Sequence, residues 1–268
     1  MPKGEQHIVV HAGFHKTGTT SAQGFLTSNG PKLWPHMAIV TPDRIRSVAR
    51  FATIYSRLED PVSLTEFEFR LKTFLQTLDI GKKRHLCISE ENLAGLMPGR
   101  NGQIDYASCP ALMVSIKRVI RSVFGPERKL SFYFSTRDSQ AWLRSNYWHN
   151  LRASKLELGF DDYADIHHKA ADFDTVLRAT QSALGKTPVY TSRLEDVADH
   201  PYGPAAPILA LIPLDPDVLT DLAPSQPRNA APNVTDLDAV LALNREADDD
   251  GWQTRKDALL ASLGTSGD

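Results

Sequence analysis

The sequence predicts an α/β protein, with a central parallel sheet flanked by helices on both faces and a helical appendage at the C-terminal end. Three observations lead there. Short, continuously apolar runs alternate with longer segments whose apolar residues recur at helical spacing. The first of those runs breaks into a glycine turn that opens directly into a helix-compatible segment. Beyond residue 200 the alternation stops, and eight of the 17 prolines fall between Pro201 and Pro232, too many for continuous regular structure.

In chain order, 7–11 (HIVVH) reads as a buried strand and 19–29 as a helix, with Gly30-Pro31 as its stop signal. Leu64, Phe67, Leu71, Phe74, Leu75 and Leu78 mark a helix over 63–78. Residues 84–89 (RHLCIS) form a second strand, and 92–110, with its glycines and two prolines, reads as a long loop holding one helical turn. A helix over 111–124, a third strand over 130–135, helices over 138–154 and 173–184, and a fourth strand over 188–191 complete the alternation. Helical texture returns over 234–263. The division expected is a core over 1–214 and an acidic helical extension or lid over 215–268. The extension carries a net charge of −7, which leaves +5 on the core out of a total of −2. A mildly basic core suits an anionic ligand, and nothing in the charge balance points to nucleic acid.

No apolar run approaches the length of a membrane span, and residues 1–6 lead into the first strand without a signal-type apolar region. Two cysteines, Cys87 and Cys109, are too few for a disulfide framework, and Cys87 reads as a packed thiol. A cytoplasmic location is the expectation. No His, Cys, Asp or Glu cluster has metal-ligand spacing.

The chemistry concentrates in Gly13-Phe14-His15-Lys16-Thr17-Gly18-Thr19-Thr20. A strand, a glycine turn and a helix start make an anion site, because turn amides converge on the ligand and the helix N-terminus adds positive potential. Gly13 and Gly18 keep the G-x-x-x-x-G spacing of a nucleotide phosphate loop, but the lysine expected after the second glycine is replaced by Thr19. The only lysine, Lys16, lies inside the loop.

The segment HAGFHKTGTTS resembles the 5′-phosphosulfate loop of the sulfotransferases that use 3′-phosphoadenosine 5′-phosphosulfate (PAPS). The resemblance implies a three-layer P-loop fold. It also implies that Lys16 reaches the oxygen bridging phosphorus and sulfur, while Thr17, Gly18, Thr19 and Thr20 hold the 5′-phosphate. A second match, Arg137 with Ser145 eight residues on, is similar to the family's 3′-phosphate signature, with Ser139 where many members have proline. An arginine fork suits a phosphate because it donates two parallel charge-assisted hydrogen bonds. Arg193-Leu194-Glu195-Asp196-Val197 resembles a segment near the adenine, with Leu194 in place of a tyrosine, and Arg228-Asn229 a loop that closes over the nucleotide.

Sulfuryl transfer needs an aligned acceptor, a base for the acceptor's proton, and positive charge at the leaving phosphate. Lys16 supplies that charge without a metal. The run Ser89-Glu90-Glu91 resembles the pattern of the glycan-type enzymes, in which a glutamate is the base; Glu91 fits best and Glu90 is its rival. His15 joins the catalytic set as a further donor in the loop, and His149 is a reserve base. His11 reads as a core residue, and His167-His168 as an exposed face. The acceptor expected is a small-molecule or carbohydrate hydroxyl, bordered by the 92–110 loop, by Trp142, Tyr147 and Trp148, or by Arg44, Arg46 and Arg50. Two other functions fit part of the pattern: a non-catalytic binder of the nucleotide product, PAP, and a small-molecule kinase.

Overall fold

A computed structural model describes residues 6–81, 84–225, 234–246 and 249–263. Five strands, β1 (His7–His11), β2 (Met37–Val40), β3 (His85–Ser89), β4 (Lys129–Thr136) and β5 (Val189–Arg193), pair in parallel in the spatial order β2-β3-β1-β4-β5. Val10 of β1 lies between Ile88 of β3 and Phe132 of β4, so β1 is the central strand. Its apolar residues alternate in direction: Ile8 and Val10 enter one hydrophobic cluster and Val9 the other. Both faces are covered, which is why the strands read as continuous apolar runs.

The connections decide which helix covers which face. From β1 the chain crosses β3 to reach β2, through α1 (Thr19–Ser28) and α2 (Gly30–Leu33). Every later crossover runs the other way across the sheet. α3 (Pro42–Leu58) and α4 (Pro61–Gln76) lead to β3, and α5 (Cys109–Phe124) leads to β4. α6 (Ser139–Ala153), α7 (Phe160–His167) and α8 (Phe173–Leu184) lead to β5. Right-handed crossovers therefore put α1 and α2 on one face and the α3, α4, α5 and α8 layer on the other, as the two core clusters show. The result is a three-layer α/β fold. Beyond β5, α9 (Leu194–Val197), α10 (Ala206–Ala210) and α11 (Pro216–Thr220) follow, and Ile208, Leu209 and Leu222 complete the face begun by α1.

The last helices, α12 (Val234–Asn244) and α13 (Trp252–Ser262), lie against α6 and α7, with Val240 packed among Tyr147, Trp148, Leu151 and Tyr163. They also cap α6. The buried Lys256 ammonium donates to the carbonyls of Leu151 (2.7 Å) and Ser154 (2.6 Å), and Asn244 Nδ2 donates to those of Leu151 (3.0 Å) and Leu156 (2.9 Å). A cation at a helix C-terminus meets both its unpaired carbonyls and its negative potential.

Several elements depart from the sequence reading. β2 and α7 were not anticipated, β2 being a four-residue strand too short to show a pattern. Gly30-Pro31 begins α2 rather than ending structure, since proline is well placed in a first helical turn. α4 starts two residues early because Asp60 caps it, accepting from the amides of Val62 and Ser63 at 2.9 Å each. The 234–263 region is two helices, not one. Among the described residues, no helix is long and apolar enough to cross a membrane. Cys87 and Cys109 are both buried and free, and burial pushes each thiol up to about 12.

Candidate functional site

At the carboxyl edge of the sheet, the chain leaves β1 for one face, while it leaves β3 and β4 for the other. Such a divergence opens a crevice at the strand ends, the usual ligand position in open α/β sheets. Residues 12–18 fill the mouth of that crevice. Neither glycine there tolerates a side chain. A Cβ on Gly13 would lie 2.7 Å from His11 Nε2 and Ser135 Oγ, and one on Gly18 would lie 2.7 Å from Leu194 Cδ1. Gly18 is also left-handed, with φ +91°. Lys16 is left-handed as well, at φ 64°, a conformation that a non-glycine residue keeps only when its surroundings impose it. The first amides of α1, those of Thr19, Thr20 and Ser21, precede the first intrahelical bond, from the Ala22 amide to the Gly18 carbonyl (3.1 Å), and no side chain caps them. They form the open, electropositive end of α1.

The hydroxyls divide. Thr17 Oγ1 donates to the Phe14 carbonyl (2.5 Å) and meets Ser135 Oγ at 2.7 Å, and Thr19 Oγ1 reaches the same carbonyl at 3.3 Å. These two hydroxyls brace the loop from inside and are already engaged. Thr20 is exposed at the mouth.

A chain of hydrogen bonds ties the loop to the end of β3. Glu90 Oε1 accepts from the Asn92 amide (3.0 Å) and from Asn92 Nδ2 (2.7 Å). That leaves Asn92 Oδ1 to accept from His15 Nε2 at 3.2 Å, and His15 Nδ1 to accept from the Tyr106 hydroxyl at 3.1 Å. Both nitrogens of a neutral His15 are thereby used, and burial holds its pKa below the ordinary histidine value. His15 thus sits in this geometry as a bolt between loop and β3, with neither nitrogen left for phosphate. Trp142 Nε1 holds the same residue from the other side, donating to the His15 carbonyl at 2.7 Å.

The two glutamates separate cleanly. Glu90 is fully buried, caps the 3-10 turn Glu91–Ala94, and has its pKa raised to about 6, first by burial and then by Glu91. Glu91 is half-buried, with Oε2 accepting from Gln23 Nε2 of α1 at 2.9 Å. Of the two, Glu91 is the more open, while Glu90 Oε2 is buried without a partner. Gln23 was not picked out from the sequence.

Lys16 points its ammonium at α6, 3.5 Å from His149 Nδ1. On the other side of that ring, Arg100 Nη2 lies 2.9 Å from Nε2. Burial and the positive charges of Lys16, Arg100 and Arg152 push His149 down to about 3, which makes it a poor reserve base. Arg100 was also missed in the sequence. The Pro98-Gly99 dipeptide before it is the signal that marks its turn.

Arg137, at the end of β4, donates from Nη1 to the Lys16 carbonyl at 3.2 Å, so strand end and loop are joined. Its Nε lies 4.0 Å from Glu195, which also approaches Arg193 (3.6 Å) and accepts from the Asp138 amide (3.1 Å). A cleft of about 420 Å3 opens here, lined by Arg137, Ser139, His168, Asp172 and Arg193. Ser145 is half-buried on α6, one turn before His149, and among the described residues it bonds neither to Arg137 nor to the loop. Leu194 packs on Gly18. Arg228-Asn229 lies outside the described residues.

Other expectations resolve structurally. His11 is a core residue as anticipated, 2.8 Å from Ser89 Oγ and 3.3 Å from Ser135 Oγ, with burial lowering its pKa to about 4. His168 is exposed, but His167 is buried against Tyr163, contrary to the exposed face expected for both. Trp142, Tyr147 and Trp148 are buried in packing. Arg44, Arg46 and Arg50 are exposed on α3, and Arg46 exerts its charge on Glu90. Among the described residues, no three His, Cys, Asp or Glu side chains converge on a point that suits a metal. The chain matches no protein-family model, no curated protein and no solved structure.

Proposed function

We propose that this chain is a sulfotransferase that moves the sulfuryl group of PAPS to an acceptor hydroxyl, on a small molecule or a carbohydrate. The observation that carries the reading is the uncapped amide crest at the start of α1, residues 19–21, with the Lys16 ammonium beside it and the Arg137 guanidinium joined to the Lys16 carbonyl. The crest takes the 5′-phosphate, and Arg137 takes the 3′-phosphate that ATP and GTP lack. The acceptor oxygen attacks sulfur in line with the departing phosphate oxygen. Glu91 accepts the hydroxyl proton as the new S–O bond forms, the bond from sulfur to the phosphate oxygen breaks, and Lys16 stabilises the charge left there. The products are the sulfated acceptor and PAP. His15, Tyr106, Trp142 and Glu90 act through position, by fixing the loop and the turn that carries Glu91.

Calorimetric titration with PAP, ATP and GTP tests the nucleotide half of the proposal, and PAP is expected to bind at least tenfold more tightly than either triphosphate. Turnover of PAPS with a panel of phenolic, alcoholic and saccharide acceptors tests the other half. Equal affinity for ATP and PAP overturns the assignment.

A further inference from the structure

Arg100 is the cation that the proposed mechanism leaves unused. Its guanidinium pairs with no carboxylate among the described residues, and its Nε is buried without a hydrogen-bond partner. Its one close polar contact is His149 Nε2, a ring that Lys16 approaches from the opposite nitrogen. A neutral imidazole has one lone pair and one N–H, whereas lysine and arginine only donate. The ring can therefore accept from only one of them, and Arg100 Nε has no acceptor in either case. Ionising would make matters worse, since an imidazolium only donates, and burial and the surrounding positive charge oppose it. A partly desolvated guanidinium without a counter-charge is unfavourable, and an anion placed against it removes the cost.

The position of Arg100 is built in advance. Gly99 is left-handed at φ +90°, and a Cβ there would lie 2.4 Å from Asn150 Nδ2 and 2.6 Å from the Tyr163 hydroxyl. The preceding carbonyl, of Pro98, accepts from Asn146 Nδ2 and Asn150 Nδ2, each at 3.0 Å. The Gln103 amide closes the turn on the Arg100 carbonyl at 2.8 Å. A charged side chain held this firmly beside a phosphate loop is preorganised for a ligand rather than left to solvent.

We infer that Arg100 and Lys16, bridged by His149, form a seat for a tetrahedral or planar oxyanion distinct from the amide crest of the loop. Two sources share that chemistry: the sulfuryl group of the donor, and an acidic substituent on the acceptor. The naming of those sources rests on the sulfotransferase reading; the seat itself does not.

The probe is inorganic sulfate, titrated by calorimetry into the full chain at low ionic strength, with and without saturating PAP. Sulfate is expected to bind the unaltered chain and to bind Arg100→Gln tenfold to a hundredfold more weakly, the range for one lost charged hydrogen bond. Arg100→Lys should recover part of the loss. Arg70→Gln, on an exposed residue of α4, should change nothing. Sulfate should also raise the pKa of His149, followed through its imidazole proton resonances, in the unaltered chain but not in Arg100→Gln. PAP affinity should stay within a few-fold in Arg100→Gln. Equal sulfate affinity in the unaltered chain and Arg100→Gln overturns the inference, because sulfate would then sit on the amide crest. If PAP fails to bind while sulfate binding still depends on Arg100, the sulfotransferase reading falls and the seat stands. Sulfate that competes with PAPS but not with PAP identifies the donor's sulfuryl group. Sulfate that binds alongside PAPS, with Arg100→Gln raising KM only for acidic acceptors, identifies the acceptor.

Discussion

Lys16 and Arg137 touch different parts of the proposed ligand, so their removal should leave different signatures. Lys16→Ala should cut turnover far more than PAP affinity, because the ammonium acts on charge that develops only as the phosphate leaves. Equal losses in the two measurements would reduce Lys16 to a phosphate anchor. Arg137→Ala should weaken PAP by about 1.5–3 kcal/mol, the worth of a charged hydrogen bond. Adenosine 5′-phosphosulfate, which lacks the 3′-phosphate, controls for any shift of the loop through the lost contact with the Lys16 carbonyl, and its affinity should hardly change. The glutamates give the sharper contrast. Glu91→Gln should leave stability and PAP binding intact and lower turnover by roughly 10²–10⁴, the contribution of a positioned base. Glu90→Ala should instead cost about 0.5–2 kcal/mol of stability, as the loss of a turn cap does, with a much smaller fall in turnover per folded molecule than Glu91→Gln gives. Urea unfolding alongside initial rates separates the two, and a rate collapse confined to the Glu90 variant would move the base one residue back.

At the level of elements, legibility followed the distance over which a signal is local. The loop from Gly13 to Thr20 was readable because strand, glycine turn and helix start are contiguous, and the alternation of strands and helices gave the parallel sheet. The separation of Glu90 from Glu91 was not readable. It depends on which carboxylate turns inward to cap residues 91–94 and which meets Gln23 on α1. Arg100 was invisible for a like reason: its place comes from Pro98 and Gly99 docking on Asn146 and Asn150 of α6, contacts made across about fifty residues. The capping of α6 by α12 and α13 is longer-range still. It predicts that Lys256→Met, which keeps the packed stem and removes the ammonium, should cost about 1–3 kcal/mol by leaving the Leu151 and Ser154 carbonyls with fewer donors. Because α6 also carries Ser145 and His149, the loss should be accompanied by weaker sulfate binding. Unchanged stability in equilibrium unfolding would mean that the last two helices lie on α6 without supporting it.

For the molecule as a whole, buried titratable groups at the strand ends set how stability responds to pH. His11 titrates at about 4 folded and 6.5 unfolded, because burial opposes its charge. Between those values the unfolded chain binds the extra proton, so stability falls as pH drops through that window, by up to about 3 kcal/mol. His149, held down to about 3, acts in the same direction over a window that extends lower. Glu90 opposes them. Its pKa is raised from 4.5 to about 6, so the folded chain holds the extra proton in between and gains stability as pH falls, by up to about 2 kcal/mol. Two histidines outweigh one glutamate, and urea unfolding should show the chain roughly 2 kcal/mol less stable near pH 5 than near pH 7. His149→Gln should flatten that slope without disturbing the core, since His149 is only half-buried at the site. Sulfate should flatten it in part, because an anion beside Arg100 offsets the positive charges that, after burial, hold His149 down. A chain equally stable at both pH values would show that His11 and His149 take up protons in the folded state, and that the strand ends are wetter than their burial implies.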